Sequence, residues 1–258
     1  MSEHMFGASD AADSAGQPWA GRSFEPNPHA TDDGSAPEHL SRAVQSFLSG
    51  EGSIQQVVDA VRTARLLIPL VAEAGDVGIT SSGLAVDKTQ ELSIVTVATP
   101  DERTALPVFS SVAAMSAWNP EARPVPSDGI RAALAAAGEG TPVIVLDPGT
   151  AETVALRRPA VWAIAQGISW VPVHQDARVL GVLNGSSDDA LRGINVRNGD
   201  PLARLTGPDL DVELQLDPGL TQSELTALLE RLTSEWYADG YFAEHVDRLG
   251  VRVVPAND

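Results

Sequence analysis

The residues able to do chemistry are few, and their spacing excludes most reactions. Cysteine is absent from the 258 residues, which removes thiolate nucleophiles, thiolate metal ligands and disulfides together. The five histidines (His4, His29, His39, His174, His245) are scattered, with no HExxH pair. Three of them lie in or beside the N-terminal tail, so only His174 and His245 can meet through the fold. Lys88 is the single lysine and has no glycine-rich context, so a phosphate-cradling loop is excluded. No GxGxxG follows a strand. A serine nucleophile on a GxSxG elbow is also missing. Ser186, Asp188 and Asp189 in NGSSDD read as a solvated loop, since the twelve-residue calcium pattern with its terminal Glu is absent. Paired carboxylates occur at Asp32–Asp33, Asp101–Glu102 and Asp188–Asp189. All fall in turns or the tail, whereas general acid–base work wants a carboxyl in an apolar pocket. No catalytic residue, cofactor site or metal site is therefore expected.

What remains is recognition chemistry. Phe109 and Trp118 flank one helical stretch, and Asp147-Pro148-Gly149 is a tight turn. A cleft lined by Phe109, Trp118, Asp147, Pro148 and Gly149 is the candidate recognition surface. The competing explanation is plain packing: aromatics in a core or rim, and a turn dictated by its own residues. An enzyme would instead require a pocket joining His174 or His245 to acids such as Asp147 or Asp176.

Charge narrows the partners. The formal net charge is −18, with 17 basic residues against 35 acids. Nucleic-acid affinity comes mainly from neutralising phosphates, so DNA and RNA are not expected partners. An anionic membrane surface is excluded on the same ground. The longest apolar runs, LLIPLVA and VIVL, fall far short of the roughly 20 residues of a spanning helix. The N-terminus has no basic start or apolar core of a signal peptide. These features predict a cytoplasmic protein whose partner is another protein or a small molecule.

The elements that must position these residues follow in order. Residues 1–36 are rich in Gly, Ala, Ser, Asp and Pro; they bury too little apolar surface to offset ordering entropy, which predicts an acidic disordered tail. From Pro37 the spacing of Leu40, Val44, Phe47 and Leu48 predicts a helix. Ser53 with Gln56 forms a capping box for a second. LLIPLVAE predicts a strand, at an edge or bulge because of Pro69. Residues 73–90 read as a polar loop, LSIVTVAT as one central strand, and ALPVFSS as its hairpin partner across PDERT. Ser110 or Ser111 is placed to cap the helix VAAMSAW. NPEARPVP reads as a connector, and Ser127 as the cap of DGIRAALAAAG, with Gly138 as its C′ residue. TPVIVLDPGT predicts a buried strand and a type II turn. Beyond SWVPVH, INVRNGD and DVELQLDPG read as strands, Thr221 with Glu224 caps a long helix, and VRVVP is a last strand. The result is an α+β chain: a tail over 1–36, a domain over 37–170, and a smaller β-β-α-β domain over 171–258.

VRTARLLIPLVAE, the strand end and helix LPVFSSVAAMSAWNP, and the strand and turn PVIVLDPGT together resemble the SseB family, in the form found in high-GC Gram-positive bacteria. The matching positions are Pro107 to Ser111, Trp118, and Val145 to Thr150. Asp147 stands where many relatives carry Asn. The resemblance covers residues 37–167 and implies an SseB N-terminal-like domain. It implies no catalytic residue and no cofactor. Together with the absence of catalytic signatures, it leads to the expectation of a non-enzymatic module that binds a protein or small ligand in a regulatory role, with an enzyme linked to amino-acid (serine) metabolism as the alternative.

Overall fold

The computed structural model describes residues 32–72, 78–79, 85–86, 92–138 and 140–256. The expected tail lies almost wholly outside the described residues, as does most of the expected 73–90 loop.

Two helices open the fold, α1 (Glu38–Leu48) and α2 (Ile54–Thr63). Ser53 caps α2 in a full capping box with Gln56. Then come β1 (Arg65–Ala72), the short pair β2 (Gly78–Ile79) and β3 (Ala85–Val86), β4 (Leu92–Ile94), β5 (Val97–Ala98) and β6 (Thr104–Val108). LSIVTVAT is thus two short strands rather than one. β5 and β6 form the expected hairpin, closed by the bond from Thr99 N–H to the Arg103 carbonyl. Ser111, not Ser110, caps α3 (Val112–Trp118).

The expected connector is a strand, β7 (Arg123–Asp128), antiparallel to β1. Its prolines do not prevent pairing. Leu67 exchanges both backbone bonds with Phe109, so Pro69, two residues on, also turns its nitrogen away from β7. Pro69 faces Pro124 and Leu67 faces Pro126 in the register; each of these β7 prolines therefore turns its nitrogen to the outer edge, where no N–H is needed. Pro69 itself stands in a middle strand, not at an edge. Asp128 rather than Ser127 caps α4 (Gly129–Gly138), accepting from Arg131 N–H at 2.8 Å. Gly138 is within α4, and the left-handed residue past its end is Gly140.

β8 (Ile144–Leu146), β9 (Val154–Leu156) and α5 (Arg158–Ala165) complete this part. The sheet order is β5-β6-β8-β9, with β6 and β8 parallel, and the Leu67–Phe109 bridge joins it to β4-β1-β7. Strand alternation sorts the side chains to two faces. Leu106, Val108, Ile144, Leu146, Val154 and Leu156 meet α1, α2, α4 and α5 in the main core. Ala105, Val143, Val145 and Ala155 face the other way, where the partial cover is Leu205. Leu67, Phe109 and Met115 pack beside them under α3.

The remainder is a second α+β layer. α6 (Ala177–Asn184), capped by Asp176, leads to β10 (Leu191–Arg197) and β11 (Leu210–Leu216). α7 (Gln222–Ala238), α8 (Gly240–His245) and β12 (Leu249–Pro255) follow. β11 is central, antiparallel to β10 and parallel to β12. Its alternate residues Leu210, Val212, Leu214 and Leu216 are buried against Leu228, Leu232 and Trp236 of α7. Trp236 is fully covered, and its indole N–H donates to Ser186 Oγ at 2.7 Å.

Candidate functional site

Above the second face of the first sheet, where Val145 and Ala155 are buried, lies a groove of about 410 Å³. Val97, Val145 and Ala155 make its floor. Trp118, Pro148 and Gly149 form one wall, and Arg204, Leu205 and Thr206 the other. Three of the five sequence-predicted residues therefore converge here. Phe109 and Asp147 do not line it. Phe109 is fully buried beneath Trp118, with ring centroids 5.3 Å apart, because its strand end points into the core. Asp147 is 5% exposed.

Asp147 instead fixes the wall. Its Oδ1 accepts the Ser110 N–H at 2.8 Å, and its N–H donates to the Val108 carbonyl at 2.9 Å, tying the ends of β6 and β8 together. Its carbonyl accepts hydroxyl bonds from Thr150 at 2.9 Å and Thr153 at 2.8 Å. Burial pushes its carboxyl above the ordinary range, the Ser110 bonds opposing. Gly149 adopts φ 84°, as the type II turn requires.

The facing loop is fixed by Asp200, also 5% exposed. Its oxygens accept from Arg204 N–H at 3.0 Å, Leu205 N–H at 2.8 Å and the Arg157 guanidinium at 2.7 Å. The Ala203 carbonyl accepts the β9 amide of Ala155 at 2.8 Å. Arg204 reaches across to the Ala151 carbonyl at 2.7 Å. Among the described residues no carboxylate lines the groove, and Arg204 is its one charged side chain. No sequence pattern announces this second wall, because Asp200 assembles it from a loop 50 residues away.

A second cavity, of about 280 Å³, lies between α5, residues 166–171 and α8. Trp162, Trp170, Asp176, Tyr241, Glu244 and His245 are among its walls. His245 and Trp170 also border a smaller pocket of about 50 Å³ with His174, Asp200 and Asp209. His245 and Asp176 thus share a cavity, while Asp147 is in neither. The Tyr241 carbonyl can only accept, so at 2.9 Å the proton is on His245 Nδ1 and Nε2 is left open. The Tyr241 ring stacks on the imidazole at 3.6 Å, and its hydroxyl donates to Asp176 Oδ2 at 2.8 Å. Burial and the bond to Asp176 push the phenol up to about 12. Burial alone lowers His174 below its ordinary value. Among the described residues no three His, Asp or Glu side chains converge as metal ligands, and no helix is long and apolar enough to cross a membrane.

Residues 40–163 match the family model described as SseB protein N-terminal domain. Over this stretch the chain carries an SseB N-terminal domain. The matched residues run from α1 into α5 and carry the floor of the groove with its Trp118 wall. The Asp200 loop lies outside them. No curated protein and no solved structure matches the chain.

Proposed function

We propose that this chain, with its SseB N-terminal domain, is a non-enzymatic recognition module acting in the cytoplasm, and that its groove takes an apolar, acid-bearing segment of a partner protein. The observation that carries this reading is where backbone strain is stored. The non-glycine residues at positive φ among the described residues are Glu102, Asp147, Ala203 and Leu205. All four belong to the loops that wall the groove: 99–103, 147–150 and 203–206. Each such residue costs about 1–3 kcal/mol and persists only where its surroundings over-determine it. Asp147 and Asp200 supply that over-determination for the second and third loops through buried hydrogen bonds, and the Thr99 hydroxyl, bonded to Asp101 and to the Arg103 carbonyl, does so for the first. A groove whose walls are fixed in advance loses little entropy on binding. The acid preference rests on charge. In a chain of net charge −18, a groove with one arginine and no carboxylate is where an acidic segment meets least repulsion.

The test is titration of ¹⁵N-labelled protein with capped hexapeptides pairing Leu or Phe with Asp or Glu. Shifts are expected at Gly149, Leu205, Thr206 and the Trp118 indole, with Trp118→Ala weakening binding by about tenfold (about 1.4 kcal/mol). Shifts confined elsewhere, or unchanged affinity in Trp118→Ala, would overturn the reading. The alternative is an enzyme linked to amino-acid metabolism. It draws support from His245 and Asp176 sharing a cavity. Against it, Asp176 is engaged by Tyr241 and by the α6 amides rather than by the imidazole.

A further inference from the structure

We propose that the cavity between α5 and α8 is a second, independent binding site, for a guanidinium or ammonium group carried on an aliphatic stem. Its walls combine two features that separately mean little. One is aromatic surface. Trp170 borders both cavities, and no ring or cation occupies its face among the described residues. A cation within about 6 Å of an indole is held by the ring quadrupole. The other feature is negative charge. Asp176 and Glu244 line the cavity, with His245 the one side chain there able to carry positive charge. Glu244 is exposed and has no hydrogen bond or ion pair among the described residues.

The neighbouring arginines already have partners, Arg62 the Ile168 carbonyl and Asp59. Arg158 covers Trp162 at 4.9 Å and donates to the carbonyls of Ala243 at 3.2 Å and Val246 at 3.0 Å. Arg178 lies 4.1 Å from the Tyr241 ring, and because His245 stacks on that ring it must take the opposite face. None of these arginines lines the cavity. Ile168 and Val171, 52% and 43% exposed, stand on its wall as apolar surface for the stem. The cation can come from a free metabolite or from an arginine or lysine side chain of a partner, and the chemistry of capture is the same.

The experiment uses the full chain at about 0.15 M salt, where the Debye length of roughly 8 Å screens diffuse attraction to a negatively charged surface. Butylguanidinium and a capped Ala-Arg-Ala peptide are titrated by calorimetry and by the ¹⁵N indole resonances, with butanesulfonate as the anionic control. Saturable one-to-one binding of a cation is expected, with the Trp170 indole shifted. Glu244→Gln and Trp170→Ala should each weaken it by about tenfold, while Trp118→Ala, in the other groove, leaves it unchanged. Glu244 is exposed, so its variant keeps the fold, which circular dichroism checks. Tighter binding of the peptide assigns the site to a partner's side chain, and equal binding assigns it to small cations. The proposal fails if neither cation saturates, if Glu244→Gln binds as tightly as the parent, or if butanesulfonate binds better.

Discussion

At the scale of single residues, Asp147 shows how a residue can mark a site without lining it. The carboxylate is buried, and its acceptor oxygen satisfies the Ser110 N–H. Replacing it with Ala orphans that donor and should cost about 1–3 kcal/mol in urea unfolding. Asn keeps an acceptor and tolerates the left-handed backbone at φ 47°, so Asp147→Asn should cost less. The two variants also separate by pH. Burial raises the folded carboxyl above its ordinary value of 3.8. The folded state then holds this proton where the unfolded state has released it. Stability from this group is full at low pH and is lost as pH rises from about 3.8 through the folded value. Asn does not titrate. The deficit of Asp147→Asn relative to the parent should therefore shrink between acid and neutral pH, and urea midpoints that diverge instead would contradict the burial argument.

At the scale of elements, Gly129 determines how α4 meets α2. A Cβ there would lie 1.9 Å from the Val61 carbonyl oxygen, a backbone atom that cannot swing aside, while Gly129 N–H donates to Ala64 at 3.0 Å. Gly129→Ala should force α4 off the core and cost more than about 3 kcal/mol. Gly138, at the other end of the same helix, has open space where a Cβ would go. Gly138→Ala should be neutral or stabilise by up to about 1 kcal/mol. Urea unfolding of the pair tests this, and a similar loss in both would refute the contact as the cause. The same contrast explains which elements were legible. The capping boxes at Ser53 and Thr221, the β5–β6 hairpin and the Pro-Gly turn rest on bonds between residues a few positions apart, so sequence carries them. Strand β7 reads as a connector from its sequence because Pro124 and Pro126 argue against a ladder; only the register against Leu67 and Pro69 shows that their nitrogens face outward. The sequence position of Phe109 fits a cleft wall or a core, and nothing local to it shows Leu67 and Met115 closing over it. The Asp200 wall and the His245 cavity are assembled from residues far apart in sequence, and no local pattern encodes them.

At the scale of the whole molecule, a buried ion network decides how the family domain and the following layer share their stability. Residues from Gly34 onward pack as one unit. Ala203 belongs to the core of the first sheet, although 37–170 was the expected extent of that domain. The Asp247 side chain, 2% exposed, accepts from Arg103 at 2.8 Å and Arg157 at 3.4 Å, and Arg158 lies 3.6 Å away. Arg157 also pairs with Asp200, itself 3% exposed at the side chain. Three arginines from the first part thus reach acids from the second, although Arg103 is also held within the first by Asp101 at 2.7 Å. A buried pair contributes little net stability while intact, because desolvation offsets attraction, but removing one partner leaves uncompensated charge. Asp247→Ala leaves Arg103 on Asp101 and Arg157 on Asp200, so it should cost about 1–3 kcal/mol. The consequence for cooperativity is stronger. A state with only one part folded exposes or strands the other half of this network, so it should not accumulate. We predict a single urea transition for the full chain, with far-UV circular dichroism and tryptophan fluorescence coincident. Trp118 and Trp162 report on the first part and Trp236 on the second, so two folding units would separate the curves. In Asp247→Ala the coupling is cut at its centre, and there the two signals should move apart; coincident curves in the variant, or separate curves in the parent, would show that the arginines do not link the two parts.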